Sequence, residues 1–257
     1  MRFLPLSQWS FFLLATIWLL SCSEKKEQFE SETISDYIPQ LQPGKYITYR
    51  VDSTVFPSFG RNTEVHKYQQ KHIVDAMVTD NEGRPSYRIY RYLRDSSGTQ
   101  PWVNNGTYFI TVLGDQVEVI EDNLRVIKLH IPFNEGFNWR GNTYLGPDPY
   151  NGVFSFSNDD NMADWEFYYD PFESSFSYQG NNYADVWTIE AADEAYNVPI
   201  TDPTAYAAKT RAMEKYAKNI GLVYREYELW EYQPNPGGSG GPYKTGFGVK
   251  QWMIDHN

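Results

Sequence analysis

A serine between glycines is the first group whose surroundings could make it reactive. Residues 237–241 read Gly-Gly-Ser-Gly-Gly, a formal Gly-x-Ser-x-Gly with Ser239 in the nucleophile position. That motif works when a strand leads in and a helix leads out, because the strained turn then exposes the hydroxyl. Here Pro236 and Pro242 bracket five small residues, a composition that suits a flexible loop. The four histidines, His66, His72, His130 and His256, show no i, i+4 pair and no His-Glu-x-x-His, so no helical zinc site is encoded. Asp159, Asp160 and Asp164 offer oxygens that calcium accepts, but the run lacks the glycine and closing glutamate of a calcium loop and reads as a solvated loop. Glycoside hydrolysis needs two carboxylates roughly 5–9 Å apart. With 33 acidic residues such pairs are inevitable and none is singled out. The sequence thus assigns no catalytic residue, no metal and no cofactor, and a hydrolase with an unrecognised site stays an alternative reading.

The single cysteine has a clearer purpose. Cys22 follows an apolar run from Trp9 to Leu20, twelve residues long. A helix crossing a bilayer needs about 20, whereas a short apolar stretch behind a sparsely charged start is the build of a secretory signal peptide. Leu19-Leu20-Ser21-Cys22 resembles the bacterial lipobox, in which the cysteine is lipidated and becomes the new first residue. That resemblance implies a signal peptide over 1–21 and an acyl anchor at Cys22. Two or three chains on that residue would hold the protein firmly, since each buried methylene contributes about 0.8 kcal/mol. The mature chain would then keep no thiol for a disulfide. Residues 23–43 are charged, aperiodic and end near Pro43, and so read as a flexible tether, leaving 44–257 as one domain. The polar start of that tether is not the acidic cluster of surface-exported lipoproteins, which places the expected site on the periplasmic side of an outer membrane rather than the cell surface. A net charge of −11 argues against a nucleic-acid partner.

The elements that would position any site are mostly strands. Hydrophobicity alternates with period two in 45–56, 72–78, 86–93, 126–131 and 164–169. Asn105-Gly106 has the composition of a tight hairpin turn, and 79–84 and 178–183 also break the chain. About nine to eleven strands follow, arranged as one large curved antiparallel sheet, an open half-barrel. One helix is expected in the C-terminal third. Asp202 is placed to cap it, Pro203 is its first residue, and Gly221 lies just past its end. Tyr206, Met213, Tyr216, Ala217 and Ile220 would form its apolar stripe, packed on the sheet. Two long strands, 221–233 and 246–255, complete the chain.

Two stretches carry a wider resemblance. Tyr216-Ala-Lys-Asn-Ile-Gly-Leu-Val, running on to Gly246–Asn257, resembles the closing segment of uncharacterised Bacteroidetes outer-membrane lipoproteins, and 131–142 (Ile-Pro-Phe-Asn-Glu-Gly-Phe-Asn-Trp-Arg-Gly-Asn) is similar to their mid-chain pattern. The order helix then hairpin is more distantly similar to the Lol-type lipoprotein carriers, open half-barrels whose concave face takes acyl chains under a helical lid. Neither resemblance supplies a catalytic residue.

Aromatic residues make up 17% of the chain, including 21 Tyr and 8 Trp. Large rings dominate burial in any sheet protein, yet Tyr87, Tyr90 and Tyr92 would occupy both faces of one strand. The expected function is a non-enzymatic, lipid-anchored envelope protein that binds an acyl chain, another lipoprotein or an envelope partner on the concave face. Tyr206, Met213 and Tyr216 on the helix, with Trp230 and Trp252 on the last strands, are the candidate walls. A glycan-binding lipoprotein, recognising sugar rings on coplanar aromatics, is the second alternative.

Overall fold

Antiparallel strand pairing organises most of the described backbone. The computed structural model describes residues 32–156, 162–235 and 240–257. The expected signal peptide, Cys22, the tether up to residue 31, Asp159, Asp160 and Ser239 lie outside them. Residues 32–257 form one unit. Its strands are β1 (Tyr46–Val55), β2 (Glu64–Thr79), β3 (Pro85–Asp95), β4 (Val103–Val112), β5 (Gln116–Glu121), β6 (Leu124–His130) and β7 (Asn138–Trp139). They continue with β8 (Phe167–Tyr169), β9 (Glu173–Tyr178), β10 (Asn181–Tyr196), β11 (Ala207–Ala217), β12 (Gly221–Gln233) and β13 (Tyr243–His256). All pair antiparallel in one sheet of order β6-β5-β4-β3-β2-β1-β13-β12-β11-β10-β8-β7, with β9 added on β10. The expected mainly β, curved antiparallel fold is therefore present, with thirteen described strands. The helices among the described residues are short: α1 (Ile34–Tyr37), α2 (Asn151–Phe154) and a 3-10 turn at Met162–Asp164. None is long and apolar enough to cross a membrane.

The sheet curls until its ends meet. Ile127 N on β6 donates to Gly141 O at 2.8 Å, just beyond β7. The Trp139 indole of β7 donates back to Ile127 O at 2.9 Å. The half-barrel is thus stitched nearly shut.

The helix expected after Pro203 is a strand. Residues 207–217 form β11, held between β10 and β12 by a ladder on each side, each with one register shift. The segment satisfies both periods. Good helix formers dominate it, but Ala208, Thr210, Ala212, Glu214 and Tyr216 also alternate with Lys209, Arg211, Met213 and Lys215. Ladder partners and cross-strand ion pairs decide between the two: Lys209 meets Glu228 at 2.6 Å and Arg211 meets Asp193 at 2.9 Å. Asp202 caps a turn instead, accepting from Thr204 N at 2.9 Å. Gly221 (φ +107°) serves the β11–β12 hairpin rather than a helix end.

Asn105-Gly106 likewise differs from expectation. It is a bulge inside β4, two residues facing the single Arg91 of β3. A Cβ on Gly106 (φ +105°) would come within 3.0 Å of the Arg91 guanidinium, so the glycine makes room for that side chain.

The tether expected to run to residue 43 is in part structural. Tyr37 is fully buried and Ile34 nearly so. The Tyr37 hydroxyl and the Trp187 indole both donate to Glu32, at 2.8 Å each, and Asn219 N donates to Asp36 O at 2.7 Å. Tyr37 in turn stacks on Phe133 (4.7 Å), which packs on Tyr169 (5.3 Å), itself against Trp139 (4.9 Å) and Trp187 (5.4 Å). This aromatic column, not a helix, fills much of the concave side.

Removing the ring that joins α1 to that column should be costly. Tyr37→Ala is expected to lower unfolding stability by about 3 kcal/mol, read as a shifted urea midpoint in tryptophan fluorescence. An unchanged midpoint would mean that the 32–43 segment does not contribute to the fold.

Candidate functional site

Charged side chains enter the barrel from strands on opposite walls. Arg91 (β3) bonds Asp122 in the β5–β6 turn and Glu121 (β5), at 2.7 Å each. Glu121 also faces Arg225 (β12) at 3.3 Å, and Arg225 Nε donates to Glu214 (β11) at 2.8 Å. Lys128 (β6) closes the series on Glu214 at 2.9 Å. The result is an alternating chain of six charges, from the exposed Asp122 to the buried Lys128. Tyr216 and Tyr227 donate their hydroxyls to Glu214 at 2.8 and 2.7 Å, and Lys128 donates to the Tyr227 oxygen at 2.5 Å.

The electrostatics follow from burial and pairing. Burial alone would raise the Glu121 carboxyl, but Arg225 and Arg91 overcome it and hold it down at about 2. Glu214 responds in the same way to Lys128 and Arg225 and stays well below the usual carboxylate range. At the neighbouring His72 burial outweighs the pull of Glu121, with Arg225 and Arg91 adding to it, and pushes the ring down to about 3. It is therefore a neutral ring. Its Nε2 meets Gln70 Oε1 and its Nδ1 meets the Tyr108 hydroxyl, at 2.9 Å each. Nε2 donates to that amide oxygen, leaving Nδ1 to accept from the phenol.

Beside this polar wall lies a cavity of about 90 Å³. Tyr37, Ile38 and Leu41 cover it. Ile47, Val74, Ile89, Ile110 and Val119 form apolar sides, and Tyr49, His72, Tyr108, Tyr216 and Arg225 form a polar floor. At the sheet's other end an open cleft, lined by Phe59, Phe154 and Phe247, collects exposed apolar groups.

The five candidate wall residues do not converge. Tyr216 is inside and lines the cavity. Met213 lies on the opposite face of β11, beside Glu190 and Glu226 in the ladders. Tyr206 precedes β11, its ring 6.2 Å from Tyr196. The Lys244 ammonium sits over Trp230 at 4.5 Å. Trp252 meets Tyr178 edge-on, at 5.4 Å and 69°. Tyr178 also meets Tyr224 at 62°, while Phe176 lies nearly parallel to Tyr178 (14°) and to Tyr183 (21°). Asp164, from the acidic run, pairs with Arg140 at 3.2 Å. Among the described residues no group of three His, Cys, Asp or Glu is arranged to hold a metal ion.

What sequence reasoning missed is the charge inside. A signal existed: in β12, Arg225 has the same parity as Tyr227 and Leu229, opposite the Glu226 and Glu228 face. A charge on the apolar face of a strand needs a buried partner.

No protein-family model matches the chain, and no curated protein does. Among solved structures, the crystal structure of an outer-membrane lipoprotein-sorting protein domain from Vibrio parahaemolyticus is similar over 84% of this chain and 85% of that one, with 10% identity and a TM-score of 0.21.

His72 and Glu121 act in the same direction on stability. Both have folded pKa values below their ordinary 6.5 and 4.5, so each stabilises the fold above its ordinary value and ceases to as pH falls toward 3 and 2. Unfolding free energy should decline below pH 6.5 by about 1.4 kcal/mol per unit from His72 alone, steepening below 4.5. Chemical denaturation across pH 7 to 4 checks this. His72→Gln should flatten the slope between 6.5 and 4.5.

Proposed function

We propose that the chain is a non-enzymatic, lipid-anchored envelope protein that takes an apolar ligand, or the apolar tip of a partner, in the cavity beneath residues 37–41. The observation that carries this reading is that cavity: apolar sides, a small volume, and a cover supplied by the segment nearest the anchor in sequence. The Leu-Leu-Ser-Cys motif supports the anchor, and with it an outer-membrane, periplasm-facing location.

Size restricts what enters. An engineered cavity of about 150 Å³ holds one benzene, so about 90 Å³ admits a short branched group or the end of a longer chain. A complete acyl chain would have to displace α1, which is tied down by Tyr37 and by the Asp36–Asn219 bond. Burial contributes about 25 cal/mol per Å² of apolar surface before association costs, so a guest this small is held weakly unless the rest of it finds surface outside.

Two measurements test the proposal. Labelled palmitate should enter the wild-type product and be lost in Cys22→Ala; equal labelling of both would remove the anchor. Native mass spectrometry of the chain released from envelopes should show one apolar adduct, abolished in Val74→Phe, which fills the cavity. A protein that never carries or takes up an apolar molecule would leave the binding role without support.

A further inference from the structure

Lys45 stands just before β1, where the chain bulges. Gly44 N donates to Val74 O at 2.8 Å and Val74 N donates to Lys45 O at 2.9 Å, so two residues face one. Gly44 takes the positive φ (+88°) that such a bulge requires. Lys45 has the parity of Ile47 and Tyr49, the inward face of β1, and all three line the cavity beside Val74. It is part-exposed, whereas Tyr49 and Val74 further in are buried, which puts Lys45 at the rim.

Other charges around the cavity are matched. The interior series sets Asp122, Glu121 and Glu214 against Arg91, Arg225 and Lys128, three of each sign. On the neighbouring segments Glu32 pairs with Lys218 at 3.6 Å, Asp36 accepts from Thr33 N at 2.8 Å, and Asp255 accepts from the Tyr46 hydroxyl at 3.0 Å. The Lys45 ammonium has neither an ion pair nor a hydrogen bond among the described residues. The site is therefore an apolar chamber with one uncommitted cation at its mouth.

From this arrangement we infer that the cavity takes a short branched monocarboxylate, its hydrocarbon end among Ile47, Val74 and Ile89 and its carboxylate on the Lys45 ammonium. The inference rests on the apolar-ligand reading and deepens it. A head group at the rim keeps part of its hydration, so pairing there avoids most of the penalty of a buried ion pair. Charge-assisted hydrogen bonds are about twice as strong as neutral ones, so an alcohol of the same shape gains the burial without the pairing. An ammonium head would face Lys45 with like charge. A phosphate monoester would bring about two charges to one cation.

The test uses the purified full chain and four probes with one alkyl group: 3-methylbutanoate, 3-methylbutanol, 3-methylbutylammonium and 3-methylbutyl phosphate. Ligand-observed NMR titration at low salt ranks them. The carboxylate should bind about 5- to 10-fold more tightly than the alcohol, more tightly than the phosphate, and by a margin that shrinks as salt rises. The ammonium should bind most weakly. Lys45→Met should lower carboxylate affinity to that of the alcohol and leave the alcohol unchanged, while Lys45→Arg should keep the preference. Equal wild-type affinity for carboxylate and alcohol would overturn the head-group inference and leave the cavity reading standing. Tighter binding of the phosphate would overturn the monocarboxylate assignment. A preference that survives Lys45→Met would overturn the role of Lys45. Binding of none of the four, the alcohol included, would remove the cavity reading as well. The wild-type series stands even if a variant does not fold.

Discussion

Opposite walls of the sheet are clamped by largely buried charges. Glu214 accepts from Lys128, Arg225, Tyr216 and Tyr227, which come from the terminal strand β6, from β12 and from its own strand. Breaking such a set by deleting one member leaves a buried charge, at a typical cost of about 3–5 kcal/mol, although an apolar replacement of the whole set can be neutral or better. Its contribution is therefore to geometry more than to net stability. Only one curvature of the sheet brings Glu121 and Arg225 to 3.3 Å and Lys128 to Glu214 at once. The bulge at Asn105-Gly106 belongs to the same arrangement, because it admits Arg91 to the interior.

With the centre of the barrel given over to ion pairs and the column from Tyr37 to Trp187, little room is left for a ligand. An open trough would hold a whole lipid, whereas this interior has a chamber of about 90 Å³ at one end. The proposed binding site thereby lies at one end of the sheet rather than along its surface, where a short N-terminal segment lines it. The same segment is bonded into the core through Glu32 and Asp36, so occupancy of the chamber and stability of α1 are thermodynamically linked.

Much of the fold was legible because half-buried strands advertise themselves. Ile47, Tyr49 and Val51 alternate with Thr48, Arg50 and Asp52, and the turns at 79–84 and 178–183 carry their own chemistry. The failures have physical causes. In 207–217 the helical and strand periods coincide, and the choice is made by neighbours distant in sequence, which a local reading does not see. Asn105-Gly106 has the right residues for a hairpin, but pairing continues on both sides of it. Ile34 and Tyr37 lie in a charged stretch too short to show a period, so their burial was invisible. Of the site, Tyr216 was found as an aromatic, but its role as donor to Glu214 depends on strands that pair only in three dimensions.

The stitching of β6 to β7 has a consequence for recognition. A sheet with open margins can recruit a partner by offering it a row of main-chain donors and acceptors, and can aggregate by the same route. Here both main-chain groups of Ile127, in the middle of β6, are already taken, by Gly141 and by the Trp139 indole. A partner strand could not pair through the centre of this seam without displacing them, so recognition there falls more heavily on side chains.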